Sequence, residues 1–273
     1  MSDLQGKLSR LLEIVERCGS AAVAFSGGVD STLLLSVASE VLEGRVLAVT
    51  VAAPFMPRHE LHAAAEAAAL IGARHITVDV DLDDIERFCA NPVDRCYFCK
   101  RHLFSKILEI ARREGLSCVM EASNADDSGD YRPGMRAVRE LGILSPLLDA
   151  GLVKEEIREL LRGRGVPGWD RPSTACLASR VPYGEPITIE KLLRIDRAED
   201  LLRSLGFAQC RVRHHGGLAR IEVEPDMVAR TLEPEMRETI LKRLEGLGFA
   251  YVAVDLRGFR TGSLNEGISR SEA

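Results

Sequence analysis

At 273 residues, with 46% hydrophobic and 28% charged side chains, the chain has the make-up of an ordinary globular protein with room for two cores. Its net charge of −5 excludes the broad positive footprint of a non-specific nucleic-acid binder, and no apolar run reaches membrane-spanning length. Seven cysteines form an odd set, unlike the paired framework of a secreted domain, so a reducing, cytoplasmic location is expected, with neither nucleic acid nor membrane as partner.

Taken in order, residues 4–18 carry Leu8, Leu11, Leu12 and Val15 at helical spacing. Residues 21–25 are an unbroken apolar run, the pattern of a strand buried on both faces. A Gly-rich loop at 26–31 follows, and residues 32–42 return to helical spacing with Leu33, Leu34, Val37 and Val41. Strands are predicted at 45–51, 75–80 and 117–122, and helices at 57–71, 100–113, 131–141 and 153–164. Residues 81–94 read as loop with one short helical stretch. Strands alternating with helices specify an α/β fold with a parallel, helix-covered sheet, which binds ligands at the carboxyl ends of its strands.

Residues 165–183 break that pattern with three prolines, two glycines and no periodicity, as a functional loop joining two domains would. Beyond it a helix at 189–205, a strand at 209–215, a Gly216-Gly217 turn and a return strand at 218–223 form a hairpin unit. A helix at 236–247 and a strand at 251–256 repeat the order helix, Leu-Gly-Phe, strand. The expected domains are therefore 1–165, an interdomain loop at 166–185, and a small α+β domain at 186–273.

The loop Ser26-Gly27-Gly28-Val29-Asp30-Ser31 ends a buried strand and opens a helix. Its glycines allow close backbone approach, and the free N–H groups at the helix start attract an anion, phosphate above all. A plain Gly-rich turn with a helix cap is the bland alternative, and the buried strand directly upstream favours the nucleotide reading. No Gly-Lys-Ser or Gly-Lys-Thr follows the glycines, and the spacing of the dinucleotide fingerprint is missing. The segment resembles the PP-loop of ATP pyrophosphatases, which cleave ATP between its α and β phosphates and transfer AMP.

Cys96 and Cys99 stand at the entrance to the 100–113 helix, and Cys176 in the interdomain loop. Four readings remain open: small buried hydrophobes, a dithiol redox pair, a zinc site with His102 as the nearest fourth ligand, and sulfur chemistry at Cys176 or on an iron–sulfur cluster. Cys18, Cys89, Cys118 and Cys210 have no such arrangement and are read as core residues. In the predicted hairpin, Arg211, Arg213 and His215 share one face while Val212 turns to the core. Its register sets His215 opposite Leu218, Arg213 opposite Arg220 and Arg211 opposite Glu222. Two arginines face to face repel unless an anion bridges them, so an anion site is expected rather than a solvated face.

Together, SGGVDS at 26–31, RCYFCK at 95–100, SNADDSGDYRPG at 123–134, ACLASR at 175–180 and RVRHHG at 211–216 resemble the LarE family over nearly the whole chain. That resemblance implies a PP-loop (HUP-like) sheet and ATP-dependent sulfur transfer to a pyridinium biscarboxylic acid mononucleotide, a step towards a nickel-pincer nucleotide cofactor. It implies that Ser26, Gly27, Gly28 and Ser31 hold pyrophosphate, and that Asp30 positions Mg²⁺. Ser123, Asn124 and Asp127 would line the same crevice, Ser179 and Arg180 would lie beside nucleotide or substrate, and Arg211 and Arg213 would clamp the acidic substrate. Cys96, Cys99 and Cys176 would hold a 4Fe–4S cluster, or Cys176 alone would surrender its sulfur; the presence of the CxxC pair tilts the expectation to the cluster. A homo-oligomer is expected. Rival readings are a PP-loop tRNA thiolase, an amide-forming PP-loop enzyme, and a nucleotide-sensing module.

Overall fold

The computed structural model describes residues 3–129, 133–171, 175–260 and 262–264. In chain order its first elements are α1 (Asp3–Glu16), β1 (Ala21–Ala24), α2 (Val29–Val41), β2 (Val46–Ala52), α3 (Arg58–Ile71), β3 (Arg74–Asp79), α4 (Glu86–Cys89) and α5 (Arg95–Arg113). They are followed by β4 (Cys118–Met120), α6 (Gly134–Glu140), α7 (Pro146–Asp149), α8 (Lys154–Gly163), α9 (Ile189–Ser204), β5 (Cys210–His215) and β6 (Leu218–Val223). The last are α10 (Val228–Thr231), α11 (Pro234–Gly246) and β7 (Tyr251–Val254). By packing, the described residues fall into two units, one drawn from Met1–Ile85 and Asp94–Thr174, the other from Glu86–Val93 and Ala175–Ala273. No helix among the described residues is long and apolar enough to cross a membrane.

The first unit is built on a four-stranded parallel sheet in the order β3-β2-β1-β4. The chain runs outward from β1 to β3, then returns to lay β4 on the other side of β1. The order therefore reverses between β1 and β4, where parallel sheets open a ligand crevice at their carboxyl ends. β1 and the body of β2 are buried, which is why both read as continuous apolar runs. β3, at the sheet edge, alternates between half-buried and exposed positions. Leu33, Leu34 and Val37 of α2 pack with Leu11 and Val15 of α1, Ala64 and Ala68 of α3, and Ile157 and Leu161 of α8.

Two helices start earlier than their periodicity indicates. α2 begins at Val29, which brings Asp30 and Ser31 into its first turn. α5 begins at Arg95 rather than at 100, so Cys96 and Cys99 lie on the helix and not before it. Tertiary packing holds that extra turn: buried Tyr97 donates its hydroxyl to Glu140 Oε2 at 2.7 Å, and the Arg136 guanidinium stacks 3.7 Å from its ring centroid. Residues 131 and 132 of the predicted 131–141 helix lie outside the described residues; α6 covers Gly134–Glu140.

In the second unit β5 and β6 form the antiparallel hairpin in the expected register, and β7 joins β6 in parallel. Phe207, Val212, Ile221 and Phe249 pack with Leu202 of α9 and Leu244 of α11 to make its core. Glu86–Val93 joins this unit through Asn91, which is fully buried at a positive φ of 55°. The Asn91 side-chain amide donates to the carbonyls of Pro182 and Glu185 at 2.7 and 2.8 Å.

Candidate functional site

The PP-loop is folded by its own hydroxyls. Ser26 Oγ lies 3.1 Å from Ser31 Oγ and accepts from Gly28 N at 3.3 Å, while Ser31 Oγ donates to the Gly28 carbonyl at 3.1 Å. Gly27 is required twice over: its φ is +72°, and a Cβ there would sit 2.7 Å from the Ala64 Cα of α3. Gly28 differs. It has an ordinary φ of −73°, and a Cβ would meet only Ser26 Oγ, at 3.3 Å. At 28 the backbone is unstrained and the one conflict is with Ser26 Oγ, which would have to give by a few tenths of an ångström; close approach of a ligand to the α2 amides is a further reason for glycine there. The base of the loop is fixed by Thr50, whose hydroxyl donates to the Phe25 carbonyl at 2.8 Å. That hydroxyl has one proton, so the 2.8 Å contact with His75 Nε2 requires the imidazole to donate.

Asp30 is the electrostatic centre of the crevice. Its Oδ2 takes Lys154 Nζ at 2.8 Å, while its Oδ1 is buried with no hydrogen-bond partner. Burial pushes the carboxyl above the ordinary range, Lys154 opposes this, and the nearby Asp127 charge adds to it. A divalent cation would satisfy the orphaned oxygen, so the residues present fit Mg²⁺.

At the end of β4, Glu121 accepts from Ser123 N at 3.1 Å, Ser123 Oγ at 2.8 Å and Ser145 Oγ at 2.5 Å. Ser123 is thus buried and turned to Glu121, bracing the loop. Asn124 N donates to Asp127 Oδ2 at 3.1 Å, and Asn124 Oδ1 accepts from Asp126 N at 3.0 Å. Asp126 Oδ2 in turn accepts from Lys154 N at 2.8 Å, fixing the start of α8 and with it the lysine that meets Asp30. Sequence reasoning missed Lys154; its only signal was its place at the opening of a predicted helix. Arg171 was missed too: it reaches the Gly27 carbonyl at 3.4 Å, and its own carbonyl accepts from Arg158 at 3.3 Å.

Cys96 and Cys99 lie three residues apart in the first turns of α5, spacing that puts them on one face, with Cys96 exposed and Cys99 half-buried. A zinc site with His102 does not assemble among the described residues, and His102 Nε2 instead lies 3.8 Å from Asp84 Oδ2.

In the second unit, half-buried Cys176 precedes a short 3-10 turn, Leu177–Arg180. Its carbonyl accepts from Ser179 N at 3.0 Å, Ser179 Oγ at 2.9 Å and Arg180 Nη1 at 2.9 Å. Arg180 also donates to the Ala175 carbonyl at 2.7 Å and makes two 2.8 Å bonds to Glu199. Both members of that pair have no exposed surface. Burial works against the Glu199 charge, yet Arg180 holds its carboxyl below the usual range. The structure therefore gives Arg180 the work of holding the Cys176 turn, rather than an open position beside a ligand.

Arg213 does face Arg220, but the like-charge argument for an external anion does not hold. The bridging anion is the protein's own fully buried Glu222, which takes Arg213 Nε at 3.0 Å and Nη2 at 2.7 Å, and Arg220 Nη2 at 3.2 Å. Arg213 further donates to Ser179 O and Ser263 Oγ, both at 2.8 Å. The face is covered at Arg211 and Arg213, while His215 at its end is exposed. Arg211 is buried too, its Nη1 donates to Cys210 O at 2.7 Å, and its guanidinium sits 5.0 Å from the Phe259 ring centroid. Burial, with the neighbouring Arg180 charge, pushes its pKa down to about 10.

The asparagine synthase family model matches residues 15–100, the stretch that carries the PP-loop. Over its full length the chain is 33% identical to the pyridinium-3,5-bisthiocarboxylic acid mononucleotide synthase of Lactiplantibacillus plantarum, covering 98% of that protein. The chain belongs to the LarE family. Another relative, an uncharacterized protein of Synechocystis, is 39% identical over 98% of this chain and all of its own length. A more distant likeness, 27% over 53% of this chain, is to an argininosuccinate synthase of Methanothermobacter thermautotrophicus. As a LarE-family PP-loop protein the chain is an enzyme candidate of the ATP pyrophosphatase type, and the PP-loop family generally uses ATP and Mg²⁺.

Proposed function

We propose that this chain is an ATP-dependent sulfurtransferase acting on pyridinium-3,5-biscarboxylic acid mononucleotide. A substrate carboxylate oxygen attacks the α-phosphate of ATP and releases pyrophosphate; a sulfur nucleophile then attacks the acyl carbon and releases AMP, leaving a thiocarboxylate. Repetition on the second carboxylate gives the bisthiocarboxylate named for the plantarum relative. The observation that carries this reading is Cys176: three donors fix the backbone of a half-buried thiol, in a chain matching that synthase end to end.

In this reading the PP-loop amides and Lys154 receive the departing pyrophosphate, and Arg171 supplies positive charge at the same loop. Asp30 Oδ1 holds Mg²⁺, which when bound offsets charge on the phosphate oxygens. Asn124 and Asp127 shape the wall of the crevice. Arg211, buried and with its charge disfavoured, gains from an acidic group of the substrate. For the sulfur there are two routes. Either Cys176 surrenders its own, or Cys96, Cys99 and Cys176 ligate a 4Fe–4S cluster, for which the donor set is chemically apt. When bound, such a cluster supplies an open iron that carries a further sulfur.

Incubation with ATP and the mononucleotide tests the proposal, with pyrophosphate followed by a coupled assay and products by mass spectrometry. Pyrophosphate release that depends on the mononucleotide, with a sulfur-bearing product, is expected. Release that depends instead on ammonia or tRNA would replace this reading with a rival one. Anaerobic purification separates the routes: iron and a visible chromophore support the cluster, and loss of one sulfur from Cys176 supports surrender.

A further inference from the structure

Two thiols outside the crevice meet at the opposite, amino-terminal edge of the parallel sheet. Residues 17–20 turn the chain from α1 into β1, and the β1–β4 pairing sets Ala21 beside Cys118. Ser20 and Ser117 lock the two segments together: their hydroxyls are 3.0 Å apart, and Ser117 N donates to Ser20 Oγ at 3.0 Å. Cys18 Sγ donates to the Ile14 carbonyl at 3.6 Å and Cys118 Sγ to the Ser20 carbonyl at 3.5 Å. Cys18 and Cys118 also lie close enough for each thiol to shift the acidity of the other, and both are half-buried. Reading these cysteines from sequence as independent core residues overlooked the contact, because they are separated by most of the unit.

We propose that Cys18 and Cys118 are a reversible disulfide site that reacts with small-molecule disulfides such as oxidised glutathione. Cys18 is the attacking sulfur: beside Cys118 its thiol is held below the usual range, while that same neighbour and burial push Cys118 up. The Cys18 thiolate attacks one glutathione sulfur and expels a glutathione thiolate, giving a mixed disulfide. That thiolate takes the Cys118 proton; Cys118 then attacks Cys18 Sγ and expels the second glutathione. Two thiols and one oxidised glutathione thus become one protein disulfide and two reduced glutathiones. A sulfur–sulfur bond of about 2.05 Å is shorter than a thiol hydrogen bond, so the sulfurs must close up, and the turn at 17–20 is the segment able to give. The bond would tie the α1–β1 turn to β4 and close a loop containing β1, β2 and β3 of the sheet. This inference rests on sheet geometry and does not depend on sulfur transfer.

The test uses the whole reduced protein, treated with excess oxidised glutathione, alkylated and digested without reductant. A linked peptide pair containing Cys18 and Cys118, lost on adding dithiothreitol, is expected, with a thermal midpoint raised by several degrees in the oxidised protein. Cys118→Ser should abolish both the linked pair and the rise, and Cys18→Ser provides the same comparison should that variant fold poorly. Complete alkylation of both cysteines after oxidation, or linkage only among Cys96, Cys99 and Cys176, would overturn the proposal. So would an unchanged midpoint rise in Cys118→Ser.

Discussion

Replacing Arg180 with methionine tests the Cys176 clamp quantitatively. Arg180 and Glu199 are both shielded from water and meet in two 2.8 Å bonds. Removing Arg180 leaves buried Glu199 with the longer 3.6 Å contact to Arg203 and the Val212 N–H at 3.0 Å, at a cost of up to about 3–5 kcal/mol. The pH dependence should also change sign. In the native protein Arg180 keeps the Glu199 pKa depressed, so the contribution of this group is present above the unfolded value of about 4.5 and is lost as pH falls through the folded pKa. Without Arg180, the burial penalty is opposed only by the weaker influence of Arg203, Arg211 and the Val212 N–H, and the folded pKa rises. The variant should then be most stable below the unfolded value and lose stability as pH increases through the raised pKa. Urea unfolding followed by circular dichroism between pH 4 and 8 measures both effects. Pairing Arg180→Met with Glu199→Leu should recover most of the stability, because the stranded charge is gone, while sulfur transfer stays impaired for lack of the donor to the Cys176 carbonyl. A single variant that loses less than about 1 kcal/mol, or that keeps the native pH slope, would refute the reasoning.

Three further outcomes follow from the geometry. Gly27→Ala should misfold the loop, since φ is positive and Ala64 blocks the Cβ, whereas Gly28→Ala, which need only displace Ser26 Oγ slightly, should fold with a much smaller loss of stability and lose ATP affinity, measurable by calorimetry. Lys154→Met should slow pyrophosphate release by roughly 10²-fold or more, the scale of losing one pre-positioned charge-stabilising group, with circular dichroism unchanged. His75, His102, His214 and His215 all have pKa values lowered, foremost by burial, so stability should be complete above about 6.5 and fall as pH drops through their folded values. His214→Phe should flatten that acid-side loss, and an unchanged profile would remove buried His214, neither of whose ring nitrogens has a hydrogen bond, as a contributor.

Much of the fold was legible because its signals are local. Buried parallel strands announce themselves as apolar runs, the Gly216-Gly217 turn set the hairpin register, and the β1–α2 loop carries its phosphate chemistry in six consecutive residues. What escaped depends on contacts between distant positions. The extra turn of α5 exists because Tyr97 packs against Arg136 and Glu140, neither of which its own periodicity encodes. Membership of Glu86–Val93 in the second unit turns on the buried Asn91 amide and on backbone bonds from Gly184 N to Asn91 O and Ile187 N to Cys89 O, nearly a hundred residues apart in sequence. The hairpin register correctly set Arg213 opposite Arg220, yet cross-strand pairing alone could not show that Glu222, one pleat along, would reach both. Lys154 was invisible for the same reason: its partner Asp30 is 124 residues away.

The most direct test of the central claim is mass spectrometry of the products after incubating reduced, anaerobic protein with ATP, Mg²⁺ and the pyridinium biscarboxylic acid mononucleotide, beside Cys176→Ala. Native protein should give AMP, pyrophosphate and a thiocarboxylate; the variant should give pyrophosphate and the acyl adenylate, or the AMP and free carboxylate left when water hydrolyses it, but no sulfur-bearing product. A thiocarboxylate formed equally well by Cys176→Ala, or native protein that releases no pyrophosphate in the presence of this substrate, would contradict it.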